Sequence, residues 1–322
     1  MKIDAVITWV DGDDPNHQAK RMRYGDRNIH ESEDVAGNTR FNSLGEILYC
    51  IASLNRFAPW LHKIYIVTDE QDPCVEPFLK KHFSESYIPM EIVDHKTIFH
   101  GYEQYLPIFN SIAIETMTWR IPGLSEHYIE FNDDLFLSAP VTPEDFFLPN
   151  GKSVCYATRH NMQWTKFTRM LKPYRNGHKR VTFKGSMYNA ALMAGRSFCF
   201  LKLVHTPKAL LKSVYEQHFT MYPDMIERNI SHRFRHADQF TPQEFQYLSL
   251  EKEGRLEVRT NVDKLHFFLQ PKNKKGYVAK KMTQLTRMRD CKFCCFNSLD
   301  KATIEERQTI LAWIQKRIGL TL

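Results

Sequence analysis

A chain of 322 residues with 43% hydrophobic and 25% charged side chains can bury a large core, which excludes a disordered or fibrous protein. No window approaches the roughly 20 apolar residues of a membrane span, the start "MKIDAVITWVDGDD" lacks the features of a secretory signal, and seven scattered cysteines do not suit a disulfide framework. A cytoplasmic chain with reduced thiols is therefore expected. The net charge of +7 gathers in "QPKNKKGYVAKKMTQLTRMRDCK", from Gln270 to Lys292, which reads either as a solvated face or as attraction to a polyanion.

In chain order, Ile3 to Val10 is nearly continuous in apolar and β-branched residues and predicts a strand buried on both faces. Asp11 ends it, with Asp13 and Asp14 as turn and cap residues. Leu44, Ile47, Leu48, Ile51 and Leu54 then follow helical spacing, Ser43 and Glu46 form a capping-box pattern, and Pro59 closes the element. "KIYIVTDEQDP", "MEIVDH" and "HYIEFNDDLFL" repeat the theme of an apolar strand ending in acid. Strands alternating with helices predict an α/β fold, a mostly parallel sheet of nucleotide-binding type flanked by helices.

After about Pro149 the pattern loosens, and "TRHNMQWTKFTRMLKPYRNGHKRVTFKG" reads as an irregular or lid-like insertion. In "HTPKALLKSVYEQHF", Thr206 and Pro207 suit a helix start, with Ala209, Leu210 and Val214 in helical register. A C-terminal helix is expected from Ile304, Ile310, Leu311, Ile314 and Ile318, stopped by Gly319. Residues 1–150 are thus expected to form a nucleotide-sugar-binding half and 151–322 a second half completing one catalytic unit.

Ligands bind beyond the carboxyl ends of such strands, so Asp11, Asp69 and the Asp133–Asp134 pair can gather around one site. "EFNDDLF" places two adjacent carboxylates after a strand, a donor set for Mg2+ or Mn2+ against a diphosphate, or a general base. Arg233 or Arg235 could clamp a phosphoryl oxygen, and His205 could move a proton near neutral pH. Against these stand blander readings: strand-end Asp residues as turns, His205 packed at an element start, and both arginines as surface cations. "CKFCC", Cys291 to Cys295, has half the spacing of a zinc site, which His266 or His236 would have to complete, and reads better as reduced core thiols. Trp9, beside Asp11, is the better of two tryptophan candidates for stacking on a base or sugar.

Taken together, the motifs resemble the Stealth family of sugar-1-phosphate transferases, which includes bacterial capsular polysaccharide phosphotransferases. Four blocks carry the resemblance: "IDAVITWVDGDDP"; "RFNSLGEILYCIASLNRFAPWLHKIYIVTDEQDP" through "HYIEFNDDLF"; "HTPKALLKSVYEQHF" to "SHRFRHADQFTP"; and "CKFCCFNSLDKATIEERQTI". It implies transfer of a hexose- or N-acetylhexosamine-1-phosphate from a UDP-sugar to a glycan hydroxyl, leaving a phosphodiester and UMP. Asp134, His205 and Arg235 match the family's active centre. Trp9, Asp11, Arg40, Asn110, Asp133, Asn189 and Asn297 match positions of donor or phosphate contact. The chain departs from the family pattern at Ser43, Leu44, Leu48, Ala52 and Ser298.

The resemblance also implies capsule or other surface-glycan synthesis, with peripheral contact to a membrane's inner face or to capsule-assembly proteins. The segment from Lys272 to Lys292 would hold an anionic glycan or dock on anionic membrane. A conventional glycosyltransferase releasing UDP is the alternative. A nucleic-acid-binding module is disfavoured because the basic run is local, and an inactive partner subunit is kept open by the altered blocks.

Overall fold

Ile3–Thr8 (β1) is buried along almost its whole length, as its apolar run predicts. Its one carboxylate, Asp4, is satisfied inside the core by His62 Nδ1 at 2.8 Å and by the Ser125 N–H at 2.7 Å. The structure is a computed structural model that describes residues 1–25, 45–84, 86–171, 181–272 and 274–320, with backbone alone at 174–175 and 178–179. Arg40, Ser43 and Leu44 therefore lie outside the described residues.

The remaining strands are Lys63–Thr68 (β2), Met90–Asp94 (β3), His127–Asn132 (β4), Leu135–Leu137 (β5), Ser153–Asn161 (β6), Tyr174–Arg175 (β7), His178–Lys179 (β8), Cys199–Leu203 (β9), Lys208–Leu211 (β10), Leu256–Arg259 (β11), His266–Leu269 (β12) and Phe293–Phe296 (β13). The central sheet runs β10-β4-β1-β2-β3 and is parallel except for β10. After β3 the chain crosses to the far side of β1 to form β4. The sheet order thus reverses between β1 and β4, and a crevice opens where their carboxyl ends diverge. Thr8 stands opposite Asn132 in the register, so Trp9 and Asp133 leave the sheet side by side.

Two smaller sheets flank this one, β12-β13-β5 and β11-β6-β9. β13 runs antiparallel to β5, and the Phe296 N–H reaches the Asp134 carbonyl at 3.0 Å, which returns the C-terminal part of the chain to the turn after β4. The helix Glu46–Phe57 buries Ile47, Cys50, Ile51 and Leu54 at the expected spacing, beginning after Gly45 at φ 81°. Ile304–Ile318 packs on it, with a Thr303–Glu306 capping box and Gly319 closing the end at φ 76°. Ile310, Ile314 and Ile318 face the core, whereas Ile304 is exposed at the first turn. Among the described residues no helix is long and apolar enough to cross a membrane.

One sequence reading is corrected here. Lys208–Leu211 is a strand, not the start of a helix, and the helix begins at Lys212. Ala209 and Leu210 pair with Ile129 and Tyr128 on β4, and at the strand's end Gln246 bonds both backbone groups of Leu211, at 2.8 and 3.0 Å. A run of three apolar residues fits either period, and burial against β4 decides it. The segment read as an insertion, 158–185, contributes among its described residues the second half of β6, the helix Met162–Leu171 and the start of the helix Phe183–Met193.

Candidate active site

At the β1/β4 crevice lies a cavity of about 390 Å³. Trp9, Asn110, Asp133, Asp134, Arg235 and Asn297 all line it, together with Glu46, Ser111, Gln270 and Ser298. Six of the residues singled out from the sequence therefore meet in one place, drawn from five separated stretches of chain.

The acidic wall is the turn between β4 and β5. Desolvation pushes the Asp133 carboxyl well above the ordinary range, with Asp134 and then Glu46 adding repulsion. Asp134 Oδ2 accepts from Asn297 Nδ2 at 2.9 Å and from the Cys295 thiol at 3.5 Å. Asn297 is itself oriented: Ser298 Oγ donates to its Oδ1 at 2.8 Å, which turns the amide nitrogen toward Asp134. Ser298, a departure from the family pattern, thus has a positioning contact.

The cationic wall is the loop after Ile230. Arg235 donates to Ser111 Oγ at 2.8 Å, and among the described residues no carboxylate pairs with it within salt-bridge distance. Desolvation lowers its pKa, opposed by Glu115, so this guanidinium sits in a water-poor place without a close counter-ion. Asn110 holds the loop in position. Its side-chain nitrogen donates to the carbonyls of His232 and Phe234 at 3.2 and 3.1 Å, and its oxygen caps the helix Ser111–Glu115. Phe109 adds a backbone bond to Arg233 O at 2.8 Å and stacks on Phe234 at 5.3 Å. Arg233, the other candidate clamp, donates to the Gln104 and Leu106 carbonyls and lies over the Tyr24 ring, so it holds the loop.

The other expected residues stand around this centre. His205 does not line the cavity; its ring lies between Phe183 and Phe268, at 6.1 and 4.8 Å, while remaining exposed. Desolvation and then Lys208 lower its pKa, and Asp134 is close enough to oppose them. Asn189 is buried and donates to the carbonyls of Ala237 and Gln239 at 2.9 and 2.8 Å, bracing the far end of the Arg235 loop. The Asp11 carboxylate accepts from the Asp13 N–H at 2.9 Å and closes its own turn, while its backbone pairs with Gln71. Asp14 caps the helix Pro15–Tyr24 through the His17 N–H. Asp69 pairs with Lys20 at 3.0 Å and lines an adjoining cavity of about 620 Å³, which shares His17 and His95 with the first.

The donor set suits a hard divalent cation, because two adjacent carboxylates repel in a desolvated cavity and offer only oxygen. Asp133 and Asp134 are the residues that would hold it. Among the described residues no group of three His, Cys, Asp or Glu side chains forms a complete metal cage, so the remaining ligands would come from phosphate and water. Cys291, Cys294 and Cys295 are buried thiols, with 3.6 Å between the first two sulfurs.

Ser111, Gln270 and Glu46 escaped the sequence reading. Glu46 was legible only as half of a capping box, and nothing in the local pattern marks Ser111 or Gln270.

An acidic pair lines one cavity with a guanidinium that no carboxylate among the described residues pairs, at the switch point of an α/β sheet, an arrangement chemically suited to an anionic ligand. Residues 1–29 match the model for Stealth protein conserved region 1, and residues 40–155 that for conserved region 2. The chain belongs to the Stealth family. It is similar to an exopolysaccharide phosphotransferase of Streptomyces coelicolor, 36% identical over 73% of this chain and 36% of the relative. It is also similar to the capsular polysaccharide phosphotransferases fcs1 of Haemophilus influenzae, 35% identical over 73% of this chain and 61% of the relative, and LcbA of Neisseria meningitidis, 34% identical over 73% and 60%. The chain therefore spans between about a third and three fifths of these relatives' lengths. Among solved structures, the galactosyltransferase LgtC in complex with donor and acceptor sugar analogs is 11% identical with a TM-score of 0.47, covering 99% of this chain and 97% of that one.

Proposed function

We propose that this chain transfers a hexose-1-phosphate or N-acetylhexosamine-1-phosphate from a UDP-sugar to a glycan hydroxyl in the synthesis of capsular or other surface polysaccharide. The observation that carries the reading is the Arg235 guanidinium, which no carboxylate among the described residues pairs, lining one cavity with the Asp133–Asp134 pair. In the reaction, the acceptor oxygen forms a bond to the sugar-bearing phosphorus. The bond from that phosphorus to the bridging oxygen breaks, UMP leaves with the electron pair, and the hydroxyl proton passes to a base.

Charge must be balanced on the transferring and leaving phosphates as this happens. Arg235 is suited to grip one phosphoryl group, since its fork faces the cavity and the desolvated setting strengthens the contact. A Mg2+ or Mn2+ ion held by Asp133 and Asp134 would supply Lewis-acid stabilisation there. Asp134 is the base best placed in the cavity, oriented by Asn297. His205, its pKa lowered by desolvation and close enough to Asp134 to feel its charge, is the second candidate base.

Trp9 offers the donor a stacking wall, and the adjoining cavity past His17 and His95 offers room for the nucleoside. The two halves of the chain act as one catalytic unit in this reading, because Asn297 and Arg235 come from the second. UDP-sugars are cytoplasmic metabolites, so the reaction belongs at that side of a membrane.

The test is a panel of UDP-sugars with Mg2+ and a glycan acceptor, scoring UMP against UDP and phosphorus in the product. UMP with a phosphodiester-linked product is expected. UDP with phosphorus-free glycan would replace this reading with ordinary glycosyl transfer.

A further inference from the structure

We propose that the outer face of the helix Met162–Leu171, together with Phe198, is a membrane-contact surface that inserts into the interfacial region of an anionic bilayer. The helix is amphipathic in the reverse sense. Its packed side carries Met162, Thr165 and Arg169, with Arg169 donating to Gly185 O at 3.1 Å and to Asn189 Oδ1 at 3.2 Å. Trp164, Phe167 and Leu171, spaced at i, i+3 and i+7, share the opposite side with Met170, and these four are 64%, 50%, 64% and 69% exposed. Phe198, 82% exposed, adjoins the first residue of this helix, where the Met162 N–H bonds its carbonyl at 2.8 Å.

A helix of a water-soluble protein turns its apolar stripe inward. Tyr277–Arg287 does so, burying Val278, Met282 and Leu285 and leaving lysines outside. Met162–Leu171 turns polar groups inward and an aromatic stripe out, an arrangement that is stable only if something apolar receives the stripe.

Charge identifies the recipient. Residues 146–215 contain thirteen lysines and arginines and no aspartate or glutamate. Glu251 engages Arg159 and Arg196, and Lys166 and Lys202 are exposed beside the stripe. Exposed Trp, Phe, Met and Leu on a segment rich in lysine and arginine, with Lys166 and Lys202 exposed, match the chemistry of an anionic lipid surface. A soluble polyanion would be attracted by the charge but would leave the stripe in water. The basic helix Tyr277–Arg287 has no such stripe and is not part of this surface. The inference stands on these residues and is independent of the reaction proposed above.

The test is co-sedimentation of the full chain with vesicles of phosphatidylcholine alone or with about 30% phosphatidylglycerol, at about 0.1 M salt. Binding to the anionic vesicles is expected, reduced about tenfold or more by the triple change W164S, F167S and L171S. All three side chains are exposed, so the melting temperature should hold. The conservative W164F should keep binding while losing most quenching of tryptophan emission by brominated lipid. The proposal is overturned if the chain stays in the supernatant, or if the triple variant binds equally well. It is also overturned if dextran sulfate displaces vesicles from wild type and triple variant alike, or if the triple change instead splits a dimer in solution.

Discussion

The two walls of the candidate active-site cavity are built in opposite ways. The acidic wall is one turn, Asp133–Asp134, fixed by the strands on either side of it and by the register that sets Thr8 against Asn132. The cationic wall is a loop held by a few bonds between residues more than a hundred positions apart: Asn110 to His232 and Phe234, and Arg235 to Ser111. Carboxylates on a sheet turn can be altered without disturbing the scaffold, whereas the arginine loop depends on each of its ties. Activity and stability should therefore separate cleanly on one wall and less cleanly on the other.

The largest effect tests the first half of that contrast. Asp134→Ala removes both the oriented carboxylate and half of the oxygen donor set, and transfer should fall by about three orders of magnitude or more. The melting temperature should barely move, since no strand bond depends on that side chain. A loss of folding in place of activity would mean that the acidic turn is structural.

Arg235→Lys keeps the charge and loses the planar fork, and should cost about a hundredfold in kcat/KM. Arg233→Ala should behave differently: its guanidinium engages the Gln104 and Leu106 carbonyls, so the melting temperature falls and donor binding weakens only as the loop loosens. Equal kinetic losses without destabilisation in both variants would erase the distinction drawn between the two arginines.

The same contrast governs what the sequence reveals. Asp133 and Asp134 follow an apolar strand directly, and the rule that ligands gather beyond strand ends marks them with no knowledge of the fold. Arg235 is legible only as one of two candidate cations beside Arg233, and Asn297 carries no local signature, so that only the order of motifs marks it. The strand at Lys208–Leu211 was read as helix because three apolar residues with a proline before them satisfy either period. What selects the strand is Tyr128 and Ile129 waiting on β4 and Gln246 at its end, contacts that local pattern does not contain. Ser111 and Gln270 are ordinary residues until the chain folds them against the cavity. Asp11 shows the converse, a conspicuous acid whose carboxylate closes its own turn.

Between the two cavities, His95 supplies a readout on stability alone. It is buried, and among the described residues neither ring nitrogen has a hydrogen-bond partner. Desolvation lowers its pKa to about 4 from 6.5. As pH drops from 6.5 toward 4 the unfolded chain takes up a proton that the folded chain refuses, so this contribution is complete above 6.5 and lost on acidification. It should amount to about 3 kcal/mol at the acid limit. His95→Leu should flatten the fall in melting temperature between pH 7 and 4.5; an unchanged slope would assign the acid sensitivity to other groups.

The smallest effect concerns the residue that joins the late part of the chain to the acidic wall. Asn297 contributes one neutral hydrogen bond to Asp134, at 2.9 Å, and its loss should cost about tenfold in kcat. Ser298→Ala should cost less, because it removes only the hydroxyl that fixes which way the Asn297 amide points. If Asn297 acts by orienting Asp134, Asn297→Ala in an Asp134→Ala background adds almost nothing, since the group it positions is already gone. If it contacts the donor directly, the two losses multiply. The double-mutant cycle thus decides whether Asn297 belongs to the acidic wall or forms a third wall of its own.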